Sequence, residues 1–368
     1  MRKWFPLSLL FLYAGIVSVS AAPTKAIVKP DYQDQIPAWL AENHVPAVGI
    51  GIIEEGKIKE VRVFGELRKG VPAPLNALFN VASLTKPVTA LTVLKLVNDG
   101  RWSLDEPVSK YWIDPDVKDD LRYERLTTRI ILSHQTGFLN WRSLTPSHKL
   151  AFTFDPGTRF GYSGEGYEYL RRAVERKFGK SLQQLSASLL FEPLGMKDTR
   201  YGWDAQMDGS RFAEPHAEDG TILLKTISEG SPLDMTKRTG ISAADWLVTT
   251  VPDYTRFGVY VLQGGGLSNE LYRDMTTPQV AKNAGVARDI DGMGLGWEVI
   301  HLSHGEYVLT HDGSDRGVKT LIMLLPKSNR GIVVFTNGEN GRRVISNILK
   351  ASFSDLRTEL AKYMDDFQ

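Results

Sequence analysis

The sequence predicts an α/β fold of the α+β type, in which one antiparallel sheet is built from both chain ends, flanked by helices, with a mainly helical lobe inserted between them. Three observations predict it. Two β-like runs joined by a tight turn lie near the N-terminus, four more lie beyond residue 294, and the stretch from about 101 to 264 reads as helices broken by loops rich in Pro, Gly, Asp and Trp. With 368 residues, 42% of them hydrophobic, the chain can bury one large core or two lobes sharing an interface.

The elements follow in order. Tyr32 to Glu42 predicts a short helix. Ala47 to Glu54 and Ile58 to Phe64 flank Glu55-Gly56-Lys57 and predict a β-hairpin. Pro87 to Val97 carries apolar residues at Val88, Leu91, Val93, Leu94 and Leu96 and closes on Asn98-Asp99-Gly100, a helix-ending signal. Further helices are expected at Tyr167 to Phe178, Leu182 to Leu190, Ala243 to Thr249 and Asp253 to Leu262. After Gly264-Gly265-Gly266 the pattern turns to strands, at Leu295 to Ile300, Tyr307 to His311, Thr320 to Leu325 and Gly331 to Thr336, followed by a helix from Arg342 to Phe353.

The first residues read as an export signal. Arg2 and Lys3 precede an apolar stretch from Trp4 to about Val17 and the small residues Ser18 to Ala22, with cleavage expected after Ala21. The apolar part is short for a membrane span. Residues 1–21 are therefore expected to be a signal peptide, and 22–368 a single domain with an α/β lobe of about 30–100 and 265–368 and a helical lobe of about 101–264. A periplasmic or secreted protein with no integral span after cleavage is the expectation. The formal charge of +1 offers no basic stripe for nucleic acid. The chain has no cysteine, which excludes disulfides, a thiol nucleophile and thiolate metal ligands.

Ser83 is the only serine with a lysine three residues downstream, in Asn80-Val81-Ala82-Ser83-Leu84-Thr85-Lys86-Pro87. At helical spacing the two side chains lie on one face, so the Lys86 amine can reach the Ser83 hydroxyl. A serine needs such a neighbour to become nucleophilic, and a desolvated lysine is one of few side chains able to take its proton. A serine before an amphipathic run is also what a helix N-cap looks like. Acyl transfer needs a second proton carrier as well, for which Tyr162 in Gly161-Tyr162-Ser163-Gly164 is the candidate, and His311-Asp312-Gly313-Ser314 is the third constellation. Gly161 to Glu165 is no nucleophile elbow, because position 165 is not glycine, and no His-Glu-x-x-His string marks a zinc hydrolase.

Ser-x-Thr-Lys-Pro, the Tyr162 loop and His-x-Gly, in this order and at these separations, resemble the class C β-lactamase family of penicillin-recognising serine hydrolases, which also holds esterases, D-alanyl-D-alanine carboxypeptidases and D-aminopeptidases. Leu132-Ser133-His134-Gln135-Thr136-Gly137 and Glu192-Pro193-Leu194-Gly195-Met196 are similar to further phrases of that family. The resemblance runs from about Ile36 to Ile348. It implies a β-lactamase/transpeptidase-like fold and no metal or organic cofactor.

The resemblance further implies that Ser83 attacks the substrate carbonyl, that Lys86 helps remove its proton, and that Tyr162 passes protons to the leaving group or activates the deacylating water. Which of Lys86 and Tyr162 is the resting base stays open. The backbone N–H groups of Ser83 and Ser314 would form the oxyanion hole, with His311, Gly313 and position 164 against the substrate.

Two departures stand out. Gly164 replaces an asparagine of many relatives, removing a side-chain amide, and His311-Asp312-Gly313 replaces Lys-Thr-Gly, leaving a weaker, pH-dependent cation. His134 is expected to hold a turn beneath the site, and Trp141, Tyr201, Trp203 and Trp246 either line the cleft or pack the core. The expected function is an exported serine hydrolase acting on a small-molecule or peptide amide or ester through an acyl-enzyme on Ser83. A carboxylesterase with little β-lactam turnover and a catalytically impaired penicillin- or cell-wall-peptide-binding protein are the alternatives.

Overall fold

The computed structural model describes residues 1, 30–203, 206–223, 240–281 and 291–365. The expected signal peptide lies outside the described residues. Twelve strands are present among them: β1 (Ala47–Glu54), β2 (Lys57–Arg68), β3 (Val71–Pro72), β4 (Phe79–Asn80), β5 (Arg200–Tyr201), β6 (Leu247–Thr249), β7 (Val280–Ala281), β8 (Gly292–Met293), β9 (Glu298–His301), β10 (Tyr307–Asp315), β11 (Val318–Leu325) and β12 (Arg330–Thr336).

The hairpin β1–β2 turns at Glu55 and Gly56, both at positive φ (52° and 68°), the backbone twist that suits a tight antiparallel turn. β1 then pairs antiparallel with β12, with Ile50 opposite Val334, and so joins the two chain ends in one nine-stranded sheet of order β3-β2-β1-β12-β11-β10-β9-β8-β7. The class expected from the sequence is the one observed.

Side-chain alternation along these strands feeds two cores. Val333 and Phe335 of β12 and Ile322 and Leu324 of β11 pack on one face with the helices Thr85–Asn98 and Val251–Leu262. Ile332, Val334, Leu321 and Met323 pack on the other with the helices Ile36–Glu42 and Gly341–Ser352. β1, β11 and β12 are buried almost throughout because both faces are covered.

Elements between residues 182 and 276 differ from expectation. Ala243 to Thr249 does not form a helix: Leu247–Thr249 is β6, which pairs with β4 and β5 in a small second sheet. Tertiary contacts override local pattern here, since the Leu247 N–H donates to the Thr85 side chain and the Leu247 carbonyl accepts the Val81 N–H. The helix expected over Leu182 to Leu190 is α-helical only to Ser186 and continues as a π-turn, Ala187–Phe191. A helix at Asn269–Thr276, capped by the Ser268 side chain, is an addition. Among the described residues no helix is long and apolar enough to cross a membrane.

Candidate active site

Ser83 sits in a 3₁₀ turn, Ala82–Leu84, directly before the helix Thr85–Asn98. Ala82 takes a positive φ of 47°, a conformation that costs a residue with a Cβ about 1 kcal/mol or more. Neighbours hold it there. The Asn80 side chain accepts the Ala82 N–H at 3.0 Å, and the Thr85 hydroxyl donates to the Ala82 carbonyl at 2.6 Å. Thr320 on β11 donates to the Val81 carbonyl at 2.9 Å, and Tyr254 to the Leu84 carbonyl at 2.7 Å. The hydroxyl of Ser83 is thus presented from a turn tied to the large sheet, the small sheet and the helix Val251–Leu262, which is how the backbone strain is sustained.

The Lys86 Nζ lies 3.1 Å from the Ser83 Oγ. Lys86 is wholly buried, and it donates to the Ala244 carbonyl at 2.8 Å. Burial pushes its amine down to about 8, against the opposing pull of Asp245, Glu168 and Asp312. The Ala244 carbonyl is placed by Glu168, whose carboxylate accepts from the Ser242 hydroxyl and the Ala243 N–H, both at 2.8 Å. Neither Glu168 nor Ala244 was identified from the sequence. No spacing links them to Ser83, and only the folded chain brings the turn at 242–245 over the lysine.

Tyr162 completes the group. Its ring centre is 4.7 Å from Lys86 Nζ, and its phenol stands near Ser83, whose hydroxyl partly offsets the effect of burial on it. Burial holds that phenol well above its ordinary range, so it rests protonated, whereas the amine of Lys86 loses its proton far more readily. His134 brackets the tyrosine from below. Its carbonyl accepts the Gly161 N–H at 2.8 Å, its Nδ1 accepts the Ser163 N–H at 3.0 Å, and its φ of 57° lets both contacts form. Desolvation, reinforced by the charges of Lys86 and His311, keeps the His134 ring neutral, and the acceptor role of Nδ1 puts its proton on Nε2.

The third constellation lies on β10, which runs on through His311 to Asp315 rather than ending at His311. β9 pairs with β10 over Tyr307–Thr310, and β10 also packs against the turn that carries Ser83. A Cβ at Gly313 would collide with the Val81 carbonyl and the Thr320 hydroxyl, which is why glycine is needed there. Ser314, the expected second oxyanion donor, is exposed next to it. His311 is only 1% exposed, with its ring 6.3 Å from that of Tyr162 and its Nδ1 2.7 Å from the Asp312 carbonyl. Asp312 in turn pairs with Arg342 at 3.1 Å.

Of the four aromatic residues singled out, Trp141 alone reaches this region, lying across Gly164. Tyr201 is buried on Thr89 and Ser186, and Trp246 and Trp203 pack with Phe212 in a satellite core. Among the described residues no group of three or more His, Asp or Glu side chains converges as a metal site requires.

A hydroxyl, an amine of lowered affinity for protons and a protonated phenol in mutual contact can perform acyl transfer with two separate proton carriers. Comparison with known proteins gives the family and the fold. The family model described as Beta-lactamase matches residues 30–352. The D-alanyl-D-alanine-carboxypeptidase/endopeptidase AmpH of Escherichia coli K12 is 25% identical, over 98% of this chain and 97% of its own. Among solved structures, the octameric penicillin-binding protein homologue from Pyrococcus abyssi superposes with a TM-score of 0.72 at 23% identity, covering 90% of this chain and 77% of that one. The D-amino acid amidase of Ochrobactrum anthropi SV3 does so with 0.71 at 20%, covering 89% and 99%.

Proposed function

The chain belongs to the β-lactamase family, and from that premise we propose that it is an exported serine hydrolase that opens an amide or ester bond through an acyl-enzyme on Ser83. The observation that carries the reading is the 3.1 Å contact between Ser83 Oγ and the buried, readily deprotonated Lys86 amine. Neutral Lys86 keeps its N–H on the Ala244 carbonyl and turns its lone pair to the serine. As the Ser83 oxygen bonds to the substrate carbonyl carbon, its proton passes to Lys86. The carbonyl oxygen takes the charge, facing the backbone N–H groups of Ser83 and Ser314, donors of a kind worth about 10²–10³ in rate each. Tyr162 then gives its phenolic proton to the leaving nitrogen or oxygen as that bond breaks, and Lys86 returns a proton to Tyr162. Water repeats the sequence on the acyl-enzyme, with the base accepting its proton and Ser83 leaving.

The substrate class we favour is a small acyl amide, peptide or ester whose scissile carbonyl can reach Ser83 between the Tyr162 loop and β10. Relatives named as carboxypeptidase and amidase support amide substrates, and the N-terminal sequence supports export. A second reading, a carboxylesterase with little β-lactam turnover, is favoured by the Trp141 ring lying where a side chain at 164 would project.

Mass spectrometry after treatment with a fluorophosphonate, together with turnover of a nitrophenyl ester, a D-amino acid amide and a chromogenic cephalosporin, tests the proposal. An adduct on Ser83 and turnover lost in Ser83→Ala are expected. Absence of any adduct on Ser83 sinks the hydrolase reading, and a persistent adduct with no turnover of any substrate makes the chain a binding protein.

A further inference from the structure

Position 164 lies two residues beyond Tyr162, and the Ser163 between them is extended, with φ −145° and ψ 114°. Alternate residues of an extended segment face the same way. Tyr162 faces Lys86 and Ser83, so a side chain at 164 would face the reacting centre too. That direction is already filled. A Cβ on Gly164 would stand 2.5 Å from Trp141 Cη2 and 2.8 Å from its Cζ2 and Cζ3, so the six-membered ring of the indole lies flush over the glycine.

The backbone N–H groups from Ser163 to Gly166 are all engaged. The Gly164 N–H donates to the Asn140 side chain at 2.8 Å and the Glu165 N–H to the Asn140 carbonyl at 3.0 Å, while the Ser163 and Gly166 N–H groups go to His134 and to the Ser163 hydroxyl. The indole is fixed in turn by its neighbour. Arg142 reaches Asp114 at 2.9 Å, Asp116 at 3.0 Å and Glu165 at 2.8 Å, and its backbone N–H also donates to Glu165. Trp141 itself is half-buried, so part of its side chain stays accessible.

We propose that Trp141 is a specificity-determining residue, the wall of the subsite that receives the substrate's acyl group, and that it selects apolar acyl chains over those carrying an amide next to the scissile carbonyl. The proposal rests on the serine-hydrolase reading above. An amide pressed against an indole face, beside a backbone whose donors are spent, loses water and gains no partner. An alkyl or aryl chain there loses nothing and buries apolar surface.

Two nitrophenyl esters of matched length, the valerate and the N-acetylglycinate, test this on the mature protein, each rate corrected for uncatalysed hydrolysis and normalised to the fraction of Ser83 that a fluorophosphonate labels. The valerate is expected to be favoured in kcat/KM by about tenfold or more, the worth of one unpaired amide. Trp141→Phe should keep that preference. Trp141→Ala should abolish most of it, chiefly through KM, and Trp141→Ala with Gly164→Asn should turn it towards the N-acetylglycinate. A wild-type preference for the N-acetylglycinate, or an unchanged ratio in Trp141→Ala whose Ser83 still labels, overturns the assignment of Trp141 and leaves the hydrolase reading standing. A wild-type protein whose Ser83 does not label overturns the hydrolase reading itself.

Discussion

The His134 imidazole lies stacked against the Tyr162 ring, centroids 4.2 Å apart and planes 24° from parallel. With its two hydrogen bonds to the residues on either side of Tyr162, it fixes both the ring and the backbone that carries it. Because the imidazole is neutral, it adds no charge to a site already holding a lysine.

His134→Asn tolerates the same left-handed backbone but loses the stack and the reach to the Ser163 N–H. Leaving that buried donor unpaired should cost about 1–3 kcal/mol in chemical denaturation. A loosened phenol should lower kcat about ten- to a hundredfold with KM changed less, since misplacements near 1 Å carry penalties of that order. A variant with reduced stability and full kcat would limit His134 to a structural part.

The lowered proton affinity of Lys86 sets a pH dependence. If neutral Lys86 is the base, kcat/KM should rise about tenfold per pH unit below about 8 and level off above it. The same group affects stability with a defined sign. Between about 8 and the ordinary 10.5 the unfolded chain holds a proton that the folded chain has released, so raising the pH through this window favours folding. The advantage in stability of Lys86→Met over the native chain should therefore shrink across the window, by roughly 3 kcal/mol at most. A gap independent of pH from 7 to 11 would place the lysine in water.

Gly313→Ala puts a methyl group into the Val81 carbonyl, which leads into the Ser83 turn, and into the Thr320 hydroxyl of β11 that donates to it. Overpacking of this kind costs about 1–3 kcal/mol. Displacing the turn from β10 should also cost about 10²-fold in kcat, the effect of one oxyanion donor. Circular dichroism melting and ester turnover together check this, and native turnover in a folded Gly313→Ala protein would separate β10 from the reaction.

Arg142→Met removes the cation shared by Asp114, Asp116 and Glu165, leaving Asp114, 1% exposed, with Arg172 as its one ion-pair partner among the described residues. The cluster is partly open at Arg142, so a loss of about 2 kcal/mol is expected rather than the 3–5 of a fully buried pair. Released Trp141 should then discriminate less between the two matched esters. Undiminished stability and selectivity would mean that the loop is held by other contacts.

The sequence alone determined the class of fold, because its signals are local: short apolar runs at Ala47 to Glu54 and in the late strands, the turn at Glu55-Gly56, and the periodicity after Pro87. It also nominated Ser83 with Lys86, since a three-residue spacing on a helix is itself a distance. Local pattern failed at Leu247–Thr249, a strand because partners far away in sequence, Thr85 and Val81, take its backbone groups. Only the tertiary structure decided what surrounds Ser83. Glu168 setting the Ala244 carbonyl on Lys86, His134 gripping the Tyr162 loop and Trp141 closing over Gly164 join residues whose separation along the chain carries no distance in space, and desolvation of the lysine is a property of the packed core, not of any motif.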